Sequence, residues 1–386
     1  MTRVPPTTHT LRIILMTLLL LSFWSLVLSG CAAPKTQTTG PVFFPPPPNE
    51  PRIQFLTGIS SSADVQDIER QGTFSLVLTG KEGADLIQNL AKSYGIVVRN
   101  GKIYLCESSL GGIIIIDPVR KTFDGLKGNM GPGALKTPVN LAFDKEGFLY
   151  VADTGRREIV VYDPAGNYLK AFRPTREKSK YVSVAAYGDD LFVLDLIYGR
   201  IRVLDRKNGD ELSEFGYSEQ PNQSLRFPVN FTFDSVGNIY VTNVGNGKVM
   251  KYDRDGNFLG SFGRIGDVPG EFARPKGIAV DHAGRIYVVD SGLNIVQLFD
   301  DQFRLLTFFG WSGLPAGSLN LPAGIATSVE NLDHFQKFAA PGFQLESLIF
   351  VVNQEGTPRI SVYGMGEMTG EKKNVPAAGQ DKGAGQ

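Results

Sequence analysis

The chain has 386 residues, of which 42% are hydrophobic and 20% are charged, so it holds enough apolar side chains for a sizeable core and wholesale disorder is excluded. Its 39 Lys and Arg residues equal its 39 Asp and Glu residues, and this balance argues against a nucleic-acid partner. With 2 Cys and 3 His, the composition also excludes a disulfide framework and a Cys-rich zinc site.

The first 30 residues have the pattern of a bacterial signal peptide. Two arginines and no acidic residue accompany a stretch of 16 almost wholly apolar residues, from position 13 to 28. That stretch suits a signal-peptide core better than a membrane-spanning helix, which needs about 20 residues. The motif Leu-Ser-Gly-Cys at 28–31 resembles the lipobox of bacterial lipoproteins. The sequence therefore predicts a lipoprotein signal peptide over 1–30 and acylation of Cys31, with an uncleaved anchor as the alternative.

A spacer is predicted between the lipid and the folded domain. Several acyl chains on Cys31, palmitate among them, would anchor the protein stably in a membrane, since each buried CH₂ contributes about 0.8 kcal/mol. Ala32 stands where an Asp resembles an inner-membrane retention signal, so the outer membrane of the cell envelope is expected. Residues 31–50 form a Pro-rich linker, in which Pro45–Pro48 should hold a polyproline II rod.

One phrase recurs along the rest of the chain and predicts the architecture. Clear copies begin at Pro138, Pro228 and Pro275, and degenerate copies begin near Tyr94, Tyr181 and Pro322. Each copy has a second apolar run that ends on an acid or an amide, and these residues are spaced by 46, 42, 48, 47 and 63 positions: Glu107, Asp153, Asp195, Asn243, Asp290 and Asn353. A period in the forties with four short strands per unit indicates a β-propeller.

The predicted fold is all-β, a six-bladed β-propeller over residues 51–364 with four-stranded antiparallel blades. The sixth unit lacks a fourth strand, and residues 52–58 resemble one, so an N-terminal strand is expected to close the ring and to cover the open edges. Residues 63–90, read as a flap, and residues 330–347 in the last blade are predicted insertions. Residues 365–386 are predicted to be a disordered tail.

Three phrases make the chain similar to a known family. YVADTG at Tyr150–Gly155, YVVDSG at Tyr287–Gly292 and GIAVD at Gly277–Asp281 resemble the NHL-repeat family of six-bladed β-propellers, and the resemblance covers roughly residues 90–364. It implies the propeller fold. It does not select a function, since that family includes binding scaffolds and a few enzymes.

The acids and amides that end the second strands are the first candidate site. In a propeller they share a face with the blade-to-blade loops, here called the top face, so Glu107, Asp153, Asp195, Asn243, Asp290 and Asn353 are expected to surround its central mouth. Such oxygen ligands could bind a cation such as Ca²⁺. The alternative is that each caps turn amides or pairs with a basic residue just before a third strand, for which Arg200, Lys248 and Arg359 are candidates.

A basic sector of the top face is the second candidate site. Six cations are expected to gather on neighbouring loops and could dock an anion or a partner: Arg156, Arg157, Arg173, Arg176, Lys178 and Lys180. A solvated basic loop is the alternative. Tyr198, Tyr217 and Trp311 are candidate aromatic anchors for a partner, or they pack on their own blades.

Motifs for catalysis are missing from the sequence. It contains no Gly-x-Ser-x-Gly, P-loop or His-Glu-x-x-His motif. After signal cleavage His282 and His334 remain, too few for a three-His zinc centre, and Cys106 is read as a core residue. The favoured hypothesis is a lipid-anchored, non-enzymatic scaffold that presents its top face to another envelope protein, without a cofactor. The alternative is a Ca²⁺-dependent hydrolase or lactonase that uses the acidic ring.

Overall fold

The computed structural model of the protein describes residues 40–66, 88–220 and 222–369. The predicted signal peptide, Cys31, most of the 63–90 insertion and most of the predicted tail lie outside these residues. Within them, no helix is long and apolar enough to cross a bilayer.

Six antiparallel sheets form the molecule, and the predicted six-bladed β-propeller is confirmed. Two strands, β1 (Phe43–Phe44) and β2 (Ile53–Ile59), precede the first complete blade. Blade 1 comprises β3 (Ser93–Arg99), β4 (Lys102–Glu107), β5 (Gly112–Asp117) and β6 (Thr122–Gly125). Blade 2 comprises β7 (Pro138–Phe143), β8 (Leu149–Asp153), β9 (Glu158–Tyr162) and β10 (Tyr168–Phe172). Blade 3 comprises β11 (Tyr181–Tyr187), β12 (Asp190–Asp195), β13 (Arg200–Asp205) and β14 (Glu211–Phe215).

The remaining blades complete the ring. Blade 4 comprises β15 (Pro228–Phe233), β16 (Ile239–Asn243), β17 (Lys248–Tyr252) and β18 (Phe258–Phe262). Blade 5 comprises β19 (Pro275–Val280), β20 (Ile286–Asp290), β21 (Ile295–Phe299) and β22 (Leu305–Phe309). Blade 6 comprises β23 (Pro322–Ser328), β24 (Phe343–Asn353) and β25 (Ile360–Met368), with helix α1 (Leu332–Gln336) between its first two strands. Short 3₁₀ turns lie at Ser62–Asp64, Gly131–Gly133 and Val244–Asn246.

The N-terminal strand closes the ring, as the sequence predicted. Strand β2 pairs with β25 in an antiparallel register that sets Gln54 opposite Gly364 and Ile59 opposite Ile360. Blade 6 therefore takes its outer strands from the beginning of the described chain and its inner strands from the end. This arrangement protects what would otherwise be an unpaired strand edge.

The propeller begins earlier in the chain than the predicted boundary at residue 51. Phe44 in β1 is fully buried, and its ring lies 4.9 Å from that of Trp311. A backbone hydrogen bond of 3.3 Å from Asn49 to Pro46 marks a turn between β1 and β2. Pro45–Pro48 therefore belong to a strand connection and do not form the extended rod expected from their composition. The two phenylalanines before them supply the buried surface that holds this segment on blade 6.

The residues predicted as an insertion at 330–347 form part of blade 6, and the propeller continues past the predicted end at residue 364. The insertion supplies α1 and the first residues of β24, and Phe335 and Phe343 pack in one cluster with Leu56. Because Phe343 pairs with Met368, β24 and β25 form a hairpin that continues past residue 364. The insertion thus covers the outer strand of blade 6 with an apolar layer.

The core lies between neighbouring blades, since inner strands are buried on both faces. The second strand of blade 5, β20, is buried at every position. Between blades 3 and 4, Phe192 and Ile201 pack in one cluster with Phe231 and Met250. The first strands of all six blades line a central channel of about 280 Å³. This packing fixes the strand ends from which the top-face loops emerge.

Turns with the sequence Asp-x-x-Gly join first and second strands on the opposite face. In the turn at Asp281–Gly284, Oδ1 of Asp281 accepts hydrogen bonds from the amides of Ala283 and Arg285, both at 2.9 Å. Gly284 has a φ of 79°, which favours glycine. These turns set the register of the first two strands and so position their other ends at the top face.

Candidate functional site

The six predicted residues that end the second strands do occupy those positions, and we call them the capping ring: Glu107, Asp153, Asp195, Asn243, Asp290 and Asn353. Every member has a relative exposure of 0%. Each side chain accepts backbone hydrogen bonds from the loop that enters its blade. Asp290 shows the pattern, since its Oδ2 accepts from the amide of Ala273 at 2.7 Å and its Oδ1 from those of Arg274 and Gly292 at 3.0 and 2.9 Å.

Amides and carboxylates of the capping ring act alike. Asn353 accepts from the amide of Asn320 at 3.0 Å with its Oδ1 and donates through Nδ2 to the carbonyl of Pro358 at 2.9 Å. Asp195 has a basic partner, Arg202 of its own blade, at 3.2 Å, and this residue was not among the candidates Arg200, Lys248 and Arg359. The described residues contain no group of three His, Cys, Asp or Glu side chains arranged to hold a metal. The ring carboxylates therefore do not converge as the cation hypothesis requires.

A cavity of about 650 Å³ opens at the centre of the top face, and we call it the mouth cavity. All six blades contribute to it through the starts of their first strands. Its polar lining consists of ammonium, hydroxyl and amide groups, and no carboxylate lines it: Lys92, Ser108, Ser109, Thr137, Asn140, Thr154, Lys180, Asn230 and Lys276. None of the capping ring lines this cavity, because those side chains turn outward into the loops.

Lys276 is the unusual residue of the mouth cavity. It directly follows Pro275, which pairs with Asp290. The equivalent positions of the other blades carry Tyr94, Val139, Val182, Val229 and Ala323. The Nζ of Lys276 donates to Oε1 of Gln354 at 2.8 Å. Burial, with a smaller contribution from the Arg274 charge, lowers the pKa of this ammonium from 10.5 to about 8.

Sequence reasoning missed Lys276, although a signal was present. The clear copies of the recurring phrase begin Pro-Val-Asn at 138–140 and at 228–230, but Pro-Lys-Gly at 275–277. A charged residue at a position that is otherwise apolar marks a departure from the repeat. The repeated residues account for the propeller fold. A residue that differs from the other copies, such as Lys276, is therefore a candidate for a functional role.

Two asparagines form a polar network on one side of the mouth cavity. Oδ1 of Asn230 accepts a hydrogen bond from the hydroxyl of Ser183 at 2.9 Å and from the amide of Phe231 at 2.8 Å. Oδ1 of Asn140 accepts from the amide of Val184 at 3.0 Å. These bonds fix both amide groups, so this side of the cavity is rigid and uncharged.

The residues immediately before the first-strand pairing positions form a second ring, which we call the rim: Lys92, Thr137, Lys180, Phe227, Arg274 and Leu321. Phe227 and Leu321 are 71% and 42% exposed. Their φ angles of 50° and 47° lie in the left-handed region, which bulky residues rarely adopt. Holding such residues there costs about 1–3 kcal/mol each. The fold thus keeps two strained apolar residues exposed at the rim.

Large exposed apolar side chains concentrate on the top face. Nine of them lie on its loops: Leu110, Met130, Ile197, Tyr198, Tyr217, Phe227, Ile265, Val268 and Leu321. Among the described residues the opposite face carries five, and the outer strands of blades 2 to 5 carry one each. Of the predicted aromatic anchors, Tyr198 and Tyr217 are exposed, whereas Trp311 packs against Phe44. Clustering of this kind marks an interaction surface more strongly than scattered exposed residues do.

The predicted basic sector is brought together in part. Arg156, Arg157, Arg173 and Arg176 line a cavity of about 670 Å³ beside blades 2 and 3. Lys178 is exposed outside that lining, and Lys180 lines the mouth cavity instead.

The guanidinium groups of this sector are largely engaged by the protein itself. Arg156 and Arg173 both contact the carboxylate of Glu158, at 2.7 and 2.6 Å, and Arg176 contacts Glu214 at 3.1 Å. Although burial alone would raise the pKa of Glu158, hydrogen bonds from the two arginines hold it below its usual value. Three of the four arginines are therefore held in place by carboxylates of the protein itself.

The remaining candidate residues lie apart from the mouth cavity. Cys31 is outside the described residues. Cys106 is fully buried, and burial raises the pKa of its thiol, so it is a core residue. His282 is exposed in the turn after β19, on the face opposite the mouth cavity.

Comparisons with known proteins show the same fold. A family model described as a 6-bladed beta-propeller matches residues 231–305. A gluconolactonase from Xanthomonas campestris is 14% identical, with a TM-score of 0.52 over 81% of this chain and 89% of that one. A protein of unknown function from Bacteroides thetaiotaomicron is 15% identical, with a TM-score of 0.51 over 81% and 75% of the two chains. A streptogramin B lyase is 16% identical, with a TM-score of 0.50 over 71% and 83%. At these identities the similarity is one of fold alone.

Proposed function

We propose that this protein is a lipid-anchored binding protein of the bacterial envelope that holds another envelope protein on its top face, without catalysis. The concentration of exposed apolar side chains on the top-face loops supports this proposal. Water-exposed apolar surface of this extent is typical of protein-binding sites.

The exposure and backbone conformation of Phe227 and Leu321 are the main support for the proposal. Both hold an exposed apolar side chain on a left-handed backbone at the rim. A strained and solvated apolar residue stabilises nothing in the isolated protein. Contact with a partner would bury both side chains and so repay the strain.

The hydrolase alternative has weaker support. A metal-dependent hydrolase needs ligands and a general base that converge in a pocket. Here Glu107, Asp153 and Asp290 accept hydrogen bonds from turn amides, and none lines the mouth cavity.

Anchoring through Cys31, and hence placement in the outer membrane, remains part of the proposal. It is supported by the arginines, the apolar core and the lipobox-like motif of residues 1–31. Mass spectrometry of protein purified from membranes should find an acylated Cys31 as the first residue. An unmodified Cys31 in a full-length chain would contradict it.

Capture from detergent-solubilised membranes tests the partner site. The double variant Phe227→Asn/Leu321→Asn should lose the partner that the unmodified protein captures, because Asn accepts the left-handed backbone but removes the apolar contact. Leu169→Asn/Leu306→Asn is the matched control, since these residues are 49% and 50% exposed on outer strands. The control should capture as well as the unmodified protein. Equal capture by both double variants would contradict the top-face proposal.

A further inference from the structure

The mouth cavity has the size and the composition of a small-molecule site. Its volume of about 650 Å³ falls within the range of roughly 300–1,000 Å³ that is common for such pockets. Three lysines line it, and no Asp or Glu does. The chain as a whole is neutral, so this local excess of positive charge does not reflect composition.

Among the described residues, Lys276 has no counter-ion. An ammonium group has three N–H donors, and the acceptor that the described residues offer to Nζ is a neutral one, Oε1 of Gln354. The neighbouring charge that acts on its pKa is that of Arg274, and no carboxylate of the described residues contributes to it. A partly buried charge without a counter-ion destabilises the protein that carries it. An anion that entered the cavity would compensate this charge.

The level of the cavity at which Lys276 lies is apolar in four of the other five blades, and Tyr94 of blade 1 supplies a phenol there. Val139, Val182, Val229 and Ala323 occupy the equivalent positions of four other blades and line the same cavity. These side chains offer no hydrogen bonds to the body of a ligand. A bound molecule would therefore meet one ammonium beside an apolar wall, with Lys92 and Lys180 toward the rim.

We propose that the mouth cavity binds a small molecule that carries one anionic group, a carboxylate or a phosphate, on an apolar body, with the anion on the ammonium of Lys276. The site is distinct from the apolar contacts of Phe227 and Leu321. The two proposals can therefore fail separately.

Calorimetric titration at neutral pH tests this with three probes that have alkyl chains of three or four carbons: butyrate, butyl phosphate and 1-butanol, added to the purified full-length protein. Butyrate, butyl phosphate or both should bind, and the stronger of the two identifies the head group. Butanol should bind at least about tenfold more weakly, because a hydrogen bond to a charged group is roughly twice as strong as a neutral one and the Lys276 ammonium is partly buried. Equal affinity for butanol, or no binding of either anion at millimolar concentration, would overturn the proposal.

Variants locate the site. Lys276→Met keeps the length of the side chain and should weaken anion binding at least about tenfold, whereas Lys276→Arg keeps the charge and should retain it. Lys145→Met removes an exposed lysine of the opposite face and is the control for net charge. Melting curves verify that each variant is folded. If Lys276→Met binds as well as the unmodified protein, or if Lys276→Arg loses binding as completely as Lys276→Met, the assignment to the Lys276 charge is wrong.

The pH dependence provides a second readout. Since the pKa of Lys276 is about 8, its ammonium is lost at a lower pH than that of an exposed lysine. Butyrate affinity should therefore fall between neutral pH and pH 9.5, and this fall should be absent in Lys276→Arg. A flat profile in the unmodified protein would contradict the role of Lys276.

Discussion

The capping ring and the rim are two sets of six residues that lie almost opposite each other across the first two strands of every blade, and they differ in each respect that bears on function. The capping ring holds only acids and amides, and it is fully buried. The rim holds two lysines, an arginine, a threonine, a phenylalanine and a leucine, and part of it is exposed and strained. Residues that recur from blade to blade therefore stabilise the propeller fold. Residues that depart from the repeat are the candidates for function.

The largest effect should come from the capping ring. Asp290→Ala leaves the amides of Ala273, Arg274 and Gly292 without their acceptor, so the free energy of unfolding should fall by about 3 kcal/mol. Urea denaturation measures this loss.

Asp290→Asn is the matched control, because blades 4 and 6 carry Asn at the equivalent position. It retains an Oδ1 acceptor for Arg274 and Gly292, so a loss of only about 1 kcal/mol is expected. Equal losses in the two variants would show that the Asp290 charge, and not turn capping, stabilises the blade.

Substitution at the rim should act in the opposite direction. Phe227→Asn replaces a bulky residue at φ 50° with one that tolerates the left-handed region, and it removes a side chain that is 71% exposed. The free energy of unfolding should therefore rise by about 1 kcal/mol. A loss of stability in urea denaturation would show that Phe227 stabilises the fold. The rim would then not differ from the capping ring in this respect.

A smaller effect is expected in the pH dependence of stability. The pKa of Lys276 is about 8 in the folded protein and near 10.5 in the unfolded chain. Between these values the unfolded state binds more protons, so the contribution of Lys276 to the free energy of unfolding rises with pH. The stability of the unmodified protein relative to Lys276→Met should therefore increase from pH 8 to pH 10.5. Parallel stability profiles in urea denaturation would exclude an uncompensated Lys276 ammonium.

Much of the fold could be predicted because the repeat carries it. The end of every second strand was identified to the residue. The errors of prediction fall on segments that lie outside the recurring phrase. Phe43–Phe44 was assigned to the linker because four prolines follow it, although two adjacent phenylalanines indicate a buried contact.

The candidate site was harder to predict, since residue type does not give side-chain direction. The acids of the capping ring were correctly placed along the chain, but their turn toward loop amides follows from the local backbone. Lys276 and Phe227 were not predicted because neither belongs to the pattern that recurs from blade to blade. A search for what one blade alone carries would have found both.

The melting temperature in millimolar Ca²⁺, with Mg²⁺ as the control for ionic strength, tests most directly the claim that the capping ring is structural. The account predicts no change with either ion, because the ring oxygens are already bonded to turn amides. A metal site would instead stabilise the fold by about 2.7 kcal/mol at a hundredfold excess of ion over its Kd. A rise of several degrees that is specific to Ca²⁺ and absent in the Glu107→Ala/Asp290→Ala double variant would contradict the account.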